Sequence, residues 1–326
     1  MSASESIGLG KRVLVGPTRY SELCPEGHSL LRGAGFEVLE NPRLKPFTEA
    51  ELSRYLPNID AAIVGTENWT ADVISRAPRV RVLGRLGVGL DNIDLKAARS
   101  NGMDVTNVPG GNANAVAELA IGLMLSLFRR IPIMDAACRA GRWDRFTGSE
   151  LSCKTVGLIG FGAISQKLAH RLQGFDVRIL TTDPYADSAA LREGSAELVS
   201  RDELLSESDV VSLHAPHNAD THHMVNSEFL SKMQRHSVLI NTSRGGLVDE
   251  AALYDSLVSN QIAGAALDVW EVEPIEPKNP LLRLDSVVAT THGAADTREA
   301  YTTVGLTTAR AVIDVFAGLT PKNLRN

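Results

Sequence analysis

Between Arg12 and Val108 the chain alternates short, β-branched apolar runs (RVLVG, FEVLE, AAIVG, RVLGRLG and MDVTNV) with helix-like segments such as TEAELSRYL and TADVISRA. Near-continuous apolar runs of this length suit strands buried on both faces, and parallel strands need a crossover helix between them. The rhythm predicts a small α/β domain of five strands, wound as in flavodoxin. Pro109-Gly110-Gly111-Asn112 then breaks the pattern. Asn112 or Asn114 is placed to N-cap a strongly apolar helix that runs to about Arg130 and is expected to cross between two domains. A second rhythm follows in TVGLIG, DVRIL, AELVS, VVSLH, SVLINTS, IAGAALDV and SVVATTH, with helices such as ISQKLAHRLQ and EAALYDSLVSN between, and predicts a larger doubly wound sheet. The last helical pattern, Thr297 to Ala317, comes after that sheet is complete and is expected to fold back onto the first domain.

Composition narrows the classes. A chain of 326 residues is long for one core and fits two domains; 44% hydrophobic and 22% charged residues are globular values. With 33 Lys+Arg against 39 Asp+Glu, a net charge of -6 and 5% aromatics, the basic footprint of a nucleic-acid partner is lacking. The apolar stretch Ala115 to Phe128 contains Glu118 and is shorter than the roughly 20 residues that cross a bilayer, so no membrane partner is expected. The start, MSASESIGLGKR, has neither a basic opening nor an apolar signal core, which predicts a cytoplasmic chain. Cys24, Cys138 and Cys153 form no CxxC pair and are expected as free thiols. His214, His217, His222 and His223 cluster in sequence, but without a His-x-x-x-His on one helix or a carboxylate companion they predict no metal.

The TVGLIG run leads directly into Gly160-Phe161-Gly162-Ala163-Ile164-Ser165 and then into a helix. In that context a glycine-rich turn brings backbone N–H groups onto a pyrophosphate; a bland tight turn is the alternative. Ser165 stands at the third glycine of the fingerprint, which would set helix and strand slightly further apart. Asp183 lies 23 residues after Gly160, at the end of DVRIL, where a carboxylate accepts the ribose hydroxyls and repels a 2′-phosphate. NAD is therefore favoured over NADP. The following Pro184 leaves open that Asp183 only starts an Asp-Pro turn.

The order GRLGVGLDNID, fingerprint, HAPHNADTHHMVN, INTSRGGLVDE, ALDVWEVEP and TTHGAAD resembles the D-isomer-specific 2-hydroxyacid dehydrogenase family over roughly residues 55 to 310, with the phosphoglycerate dehydrogenases as the nearest branch. The resemblance implies two doubly wound α/β domains with a cleft between them: a flavodoxin-like substrate-binding domain, 1–110 plus 294–326, and a Rossmann NAD-binding domain, 111–293. It also implies a homodimer built on the cofactor domain and a catalytic set of Arg244, Glu273 and His292. Cofactor neighbours carried over with it are Val88, Gly160, Gly162, Ala163, Ile164, Asp183, Pro184, Thr221, Thr242, Ser243, His292 and Ala295. His214-Ala215-Pro216 would form a backbone wall near the nicotinamide, and Asp268 would accept from its amide.

The chemistry of these residue types agrees. Reducing a 2-keto acid needs a proton donor for the developing alkoxide, and histidine is the side chain whose ordinary pKa lies nearest neutrality, which suits His292. A carboxylate on the other ring nitrogen, Glu273, fixes the tautomer and favours imidazolium. Arg244 offers a planar fork for the substrate carboxylate. Taken singly, a core histidine, a solvated loop acid and a surface cation are the alternatives. Together, each after a strand end, they mark a ligand edge. In Gly84-Arg85-Leu86-Gly87-Val88-Gly89 the backbone can form an anion nest, with Arg85, Leu86 and Gly87 as substrate contacts, or a plain tight turn. Arg85 then either reaches substrate or bridges to a neighbouring subunit.

Departures from the branch sharpen the expectation. Phosphoglycerate dehydrogenases carry an arginine just after the strand read here as AAIVG, whereas this chain has Gly65, so strict phosphohydroxypyruvate specificity is not expected. Thr291 replaces the usual proline before His292, and Gly293 follows, which predicts a looser histidine loop. No further domain after Asn326 is expected to confer feedback. Arg139, Arg142 and Arg145 around Trp143 read as a basic helix end or as a second anion site. The leading reading is an NAD-dependent oxidoreductase acting on a small 2-keto or 2-hydroxy acid. The alternative is an NAD(H)-sensing, corepressor-like interaction protein with the same fold. Formate oxidation would replace Glu273 by an amide. The third-carbon substituent of the substrate is left open.

Overall fold

The computed structural model describes residues 7–326. The chain divides into two compact units, one running to Asn112 and resuming at Asp296, the other spanning Ala113–Ala295.

The first unit is a parallel sheet of β1 (Arg12–Thr18), β2 (Glu37–Asn41), β3 (Ala61–Val64), β4 (Val82–Arg85) and β5 (Asp104–Thr106), in the order β2-β1-β3-β4-β5. This is the flavodoxin-like order. Strand alternation feeds two cores: Leu14 packs with Leu56, Trp69 and Ile74 on one face, and Val13 and Val15 pack with Leu31 and Phe36 on the other. The second face is closed by the helix Arg298–Phe316 through Ala309, Val312 and Val315, so the first unit is assembled from both ends of the chain. Gly305 lets this helix approach, since a Cβ there would lie 2.6 Å from Cys24 Sγ, and Tyr20 donates its hydroxyl to the Gly305 carbonyl at 3.0 Å. The tail continues alongside β5, with Asn326 bonded to Val105 N–H and the Met103 carbonyl. The TEAELSRYL segment makes only one helical turn, Glu49–Leu52, under a Thr48/Glu51 capping box. Pro57, which lacks an N–H and restricts Leu56, turns the rest into a 3₁₀ turn at Leu56–Asn58.

The second unit is a parallel sheet of β6 (Thr155–Ile159), β7 (Arg178–Thr182), β8 (Ala196–Leu198), β9 (Val210–Leu213), β10 (Val238–Asn241), β11 (Gly264–Leu267) and β12 (Val287–Ala289), in the order β12-β11-β10-β9-β6-β7-β8. The order reverses between β9 and β6, the place where open sheets of this kind bind ligands outside their carboxyl ends. The apolar helix is Ala113–Phe128, and it does not cross between units: Ala117, Ala120, Leu123 and Met124 bury it on one face of this sheet with Leu158 and Leu168. Neither asparagine caps it as expected. Asn112 Oδ1 is buried without a partner, and Asn114 sits inside the first turn, its Oδ1 taken by Arg171 at 3.2 Å. Among the described residues, no helix is long and apolar enough to cross a membrane. All three cysteines are free.

Candidate active site

The loops at the carboxyl end of the second sheet carry most of the candidate residues. After β6, Gly160 has φ +92, and a Cβ there would stand 2.9 Å from the His214 carbonyl oxygen, so only glycine lets the β6 and β9 loops meet. Gly162 has open space at its Cβ position and begins the helix Ala163–Leu172, whose first turn has no side-chain cap. Those N–H groups are available to an anion. Ser165, in place of the third glycine, is buried and donates its hydroxyl to the Gly160 carbonyl at 2.6 Å, pinning the turn to the helix. Asp183 accepts from Phe161 N–H and Tyr185 N–H, each at 2.7 Å. It therefore starts the Asp-Pro turn and still offers lone pairs on both oxygens. Beyond Pro184, Tyr185 is 92% exposed.

After β9, the His214 ring bonds Ser212 Oγ at 2.9 Å through Nε2, and its Nδ1 is buried without a partner. Burial pushes this histidine down to about 4, so it is neutral. Ala215 and Pro216 continue the chain at the edge. The Thr221 hydroxyl donates to the Pro216 carbonyl at 2.7 Å and accepts Asn218 N–H at 2.9 Å. Thr221 thus staples its own turn. After β10, Thr242 keeps a buried Oγ with no partner, and Ser243 donates to the Leu213 carbonyl at 2.7 Å. Arg244 follows, one arm bonded to the Ser243 carbonyl at 2.7 Å.

His292 and Glu273 meet. His292 Nδ1 and Glu273 Oε2 are 2.6 Å apart, with the side chains 39% and 37% exposed. Burial opposes ionisation of Glu273. The His292 bond, the Trp270 N–H at 3.0 Å and the charges of His292 and Arg244 outweigh it, and hold the carboxyl below its ordinary range. Trp270 also ties the two loops together by donating its indole N–H to the Thr290 carbonyl at 3.0 Å.

Asp268 anchors the histidine loop. It is wholly buried and accepts Thr290 Oγ1 at 2.6 Å, Gly293 N–H at 2.9 Å and Ala294 N–H at 2.9 Å, while its own carbonyl accepts His292 N–H at 2.7 Å. This carboxylate holds the histidine loop, and its Oδ2, which accepts only the Ala294 N–H, keeps a lone pair. Between Thr291 and Gly293 the bonds to Asp268 hold His292 in a left-handed conformation, φ 55, ahead of half-buried Ala295. The histidine cluster has a carboxylate after all. His217 Nε2 and His222 Nδ1 are 3.2 Å apart, the His222 and His223 rings stack at 4.0 Å, and His223 bonds Glu271. Even so, among the described residues no group of histidines, cysteines and acids is arranged to hold a metal.

The Arg85–Gly89 turn of the first unit is largely self-satisfied. Leu86 N–H donates to the Val64 carbonyl and Gly87 N–H to the Arg85 carbonyl, both at 2.9 Å, while Arg85 reaches the carbonyls of Leu86 at 2.6 Å and Gly89 at 3.1 Å. Arg85, Leu86 and Gly87 are thereby engaged in shaping a tight turn, and the Val88 carbonyl accepts Asn107 Nδ2 at 2.6 Å. Arg139, at the end of the helix Ile131–Arg139, pairs with Asp135, and Arg142 pairs with Asp144. Sequence reasoning missed Trp270 and Glu250. Both lie inside quoted motifs, but only the folded loops bring Glu250 to Glu271 N–H at 2.8 Å.

The profile of the "D-isomer specific 2-hydroxyacid dehydrogenase, NAD binding domain" matches residues 121–294. The chain belongs to the D-isomer specific 2-hydroxyacid dehydrogenase family. The second unit is this family's NAD binding domain, with an open Gly162, an uncapped helix start and an orphaned Thr242 hydroxyl at its ligand edge. Relatives include a D-3-phosphoglycerate dehydrogenase of Archaeoglobus fulgidus, 41% identical over 307 residues, or 93% of this chain. This chain spans only 58% of that protein's length. A hydroxypyruvate reductase of Thermotoga maritima is 42% identical over 78% of this chain and 84% of its own. The crystal structure of the TT0316 protein from Thermus thermophilus superposes with a TM-score of 0.86 at 32% identity, covering 97% of this chain and all of that one.

Proposed function

We propose that this family member reduces a short, unphosphorylated 2-keto acid to the D-2-hydroxy acid, and runs the reverse reaction, with NAD as the redox partner. The observation that carries the reading is the His292–Glu273 pair, a half-exposed imidazole whose Nδ1 is held by an ionised carboxylate. With Nδ1 taken, Nε2 is the nitrogen that donates a proton to the keto oxygen and recovers it in the reverse direction. Arg244 binds the substrate carboxylate with its fork and steadies charge on the adjacent oxygen. NADH supplies the hydride when bound. The residues proposed to hold it are the Gly160–Ile164 turn at the pyrophosphate, Asp183 at the adenosine ribose, and Ala215, Pro216, Thr242 and Ser243 along the edge. A cofactor-sensing role alone would leave the dyad without a purpose.

Gly65 supports the lack of a phosphate on the substrate. This position carries no side chain, so the cation that the phosphoglycerate branch places there for a distal phosphate is lacking. The Thermotoga relative, by its name, acts on hydroxypyruvate, a compound of the proposed class.

A homodimer is also proposed. Trp143 is 88% exposed and Ile131 47% exposed, and Leu119, Leu125 and Leu127 of the apolar helix are only half-buried, apolar surface that a second copy would cover. A monomeric mass by light scattering, with full activity, removes that claim.

The test of the reaction is NADH oxidation over a panel of 2-keto acids, followed by His292→Ala on the best one. General acid assistance is typically worth about 10²- to 10⁴-fold, so kcat should fall by that much while NADH affinity holds. Near wild-type turnover sinks the assignment.

A further inference from the structure

Glu273 hangs in a long, mostly exposed loop between Trp270 and Pro280 with no regular structure of its own. A side chain that must hold an imidazole within tenths of an ångström needs its backbone fixed from outside. The fixing comes from the helix Glu250–Val258. Asp249 caps that helix, accepting Ala251 N–H and Ala252 N–H at 3.0 Å each, and Leu253 and Leu257 root it in the core. Its first residue, Glu250, then spans the loop: Oε1 accepts Glu271 N–H at 2.8 Å and Oε2 accepts Asn279 Nδ2 at 2.6 Å. One carboxylate thus ties the entry of the loop to its exit, with Glu273 between. Asn279 is held on its other side, where its Oδ1 caps the Pro280–Arg283 turn by accepting Leu281 N–H at 3.0 Å.

We propose that Glu250 is a positioning residue for the Glu273–His292 pair, acting through this two-ended clamp; the proposal rests on the roles given to that pair above. Glu250 touches neither His292 nor Glu273, so its effect must pass through the loop. A slackened loop lets the Glu273 carboxylate drift from the ring, and the imidazolium loses its counter-charge. The proton is then released at lower pH. In keto-acid reduction, which needs that proton, the alkaline limb of the rate profile moves to lower pH.

The clamp can be broken and remade without changing size. Glu250→Gln still accepts from Glu271 N–H but sets its amide N–H₂ against that of Asn279. Asn279→Asp sets one carboxylate against another. In the double variant the amide introduced on the helix donates to the carboxylate introduced on the loop, and that carboxylate keeps the bond to Leu281 N–H. Each single variant should lose kcat by on the order of 10-fold, with the alkaline limb shifted down and KM for NADH unchanged, and the double variant should recover most of both. Should a single variant fold poorly, by its thermal melt, Glu250→Asp, one methylene short of reaching both partners, tests the clamp on its own outside the cycle, with the same loss of kcat and the same shift of the limb expected. Folded single variants with wild-type kcat and pH profile overturn the proposal, as does a double variant no better than the worse single one. His292→Ala in the same series separates the two claims: if it stays active, the dyad reading fails; if it is dead while Glu250→Gln is wild type, only the clamp fails.

Discussion

The two sheets end differently at their carboxyl edges. In the first unit the loops after β3 and β4 consume one another: Gly65 N–H goes to Glu67 Oε1 at 3.0 Å, and Asn92 Nδ2 goes to the carbonyls of Gly65 at 3.1 Å and Glu67 at 2.7 Å. What is left over is sealed in. Glu67 is 5% exposed, with a buried, unpartnered Oε2. In the second unit the loops are pinned from below by Asp268, Ser165 and Glu250, while the upper groups stay accessible, with the His292 and Glu273 side chains 39% and 37% exposed. A polar edge becomes a reactive one when its scaffolding bonds are made by residues other than those that meet the ligand.

Breaking the scaffold should therefore hurt more at the second edge than at the first. Asp268→Ala removes the partner of Thr290 Oγ1 and of the N–H groups of Gly293 and Ala294 at a wholly buried position, and should cost about 3 kcal/mol in urea unfolding, with activity lost beyond what stability explains. A fall under ~1 kcal/mol, the net worth of one ordinary hydrogen bond, would mean that the loop has other anchors.

His214 gives a pH signature of similar size. Its folded pKa is depressed to about 4 against 6.5 for an ordinary histidine, because burial disfavours the charged ring. The unfolded chain therefore binds the extra proton between those values. Stability is full above pH 6.5 and declines toward pH 4, by on the order of 3 kcal/mol. Unfolding midpoints of wild type and His214→Gln, compared at about pH 7.5 and pH 5, should diverge only in the wild type's larger loss.

Gly160→Ala forces an alanine to φ +92 against the His214 carbonyl and should weaken NADH binding at least ~10-fold in a fluorescence titration. Its counterpart Gly65→Ala meets only the movable end of Glu67 and should leave NADH binding alone. The smallest effect is expected from Glu67→Gln. Burial raises the Glu67 carboxyl despite the N–H groups, Arg85 and Trp69 that favour its anion, so its folded form gains stability at low pH and loses it as pH rises through the raised pKa. The amide removes that loss: equal or slightly higher stability at about pH 8, by up to ~1 kcal/mol, with kcat unchanged.

The strand runs were legible because the central strands, β3, β9, β10 and β11, are buried on both faces and read as continuous apolar runs. Gly160 and Gly162 were legible because a strand precedes and a helix follows them. His292, Glu273 and Arg244 were legible as motif members, though only the fold shows two of them in contact. The loop partners of Asp268, Arg85 and Thr221 were not legible for one reason: a sequence reports that a polar group exists at a strand end, not which neighbouring loop it holds. Glu250 was hidden similarly. An acid opening a helix reads as a complement to the helix dipole, and its partners lie 21 and 29 residues away. The TEAELSRYL misreading is local, since Pro57 was in view and outweighs the apolar spacing before it.

The first sheet closes with the helix Arg298–Phe316, after the whole second unit has been spelled out in the chain. On the ribosome, residues 113–295 emerge as an uninterrupted piece able to fold at once, while Val13, Val15, Ile63 and Val82 wait uncovered for Ala309, Val312 and Val315. Birth order and folding order are thus reversed. A released chain truncated after Ala295 should hold a protease-resistant second unit beside a first that is still readily cut.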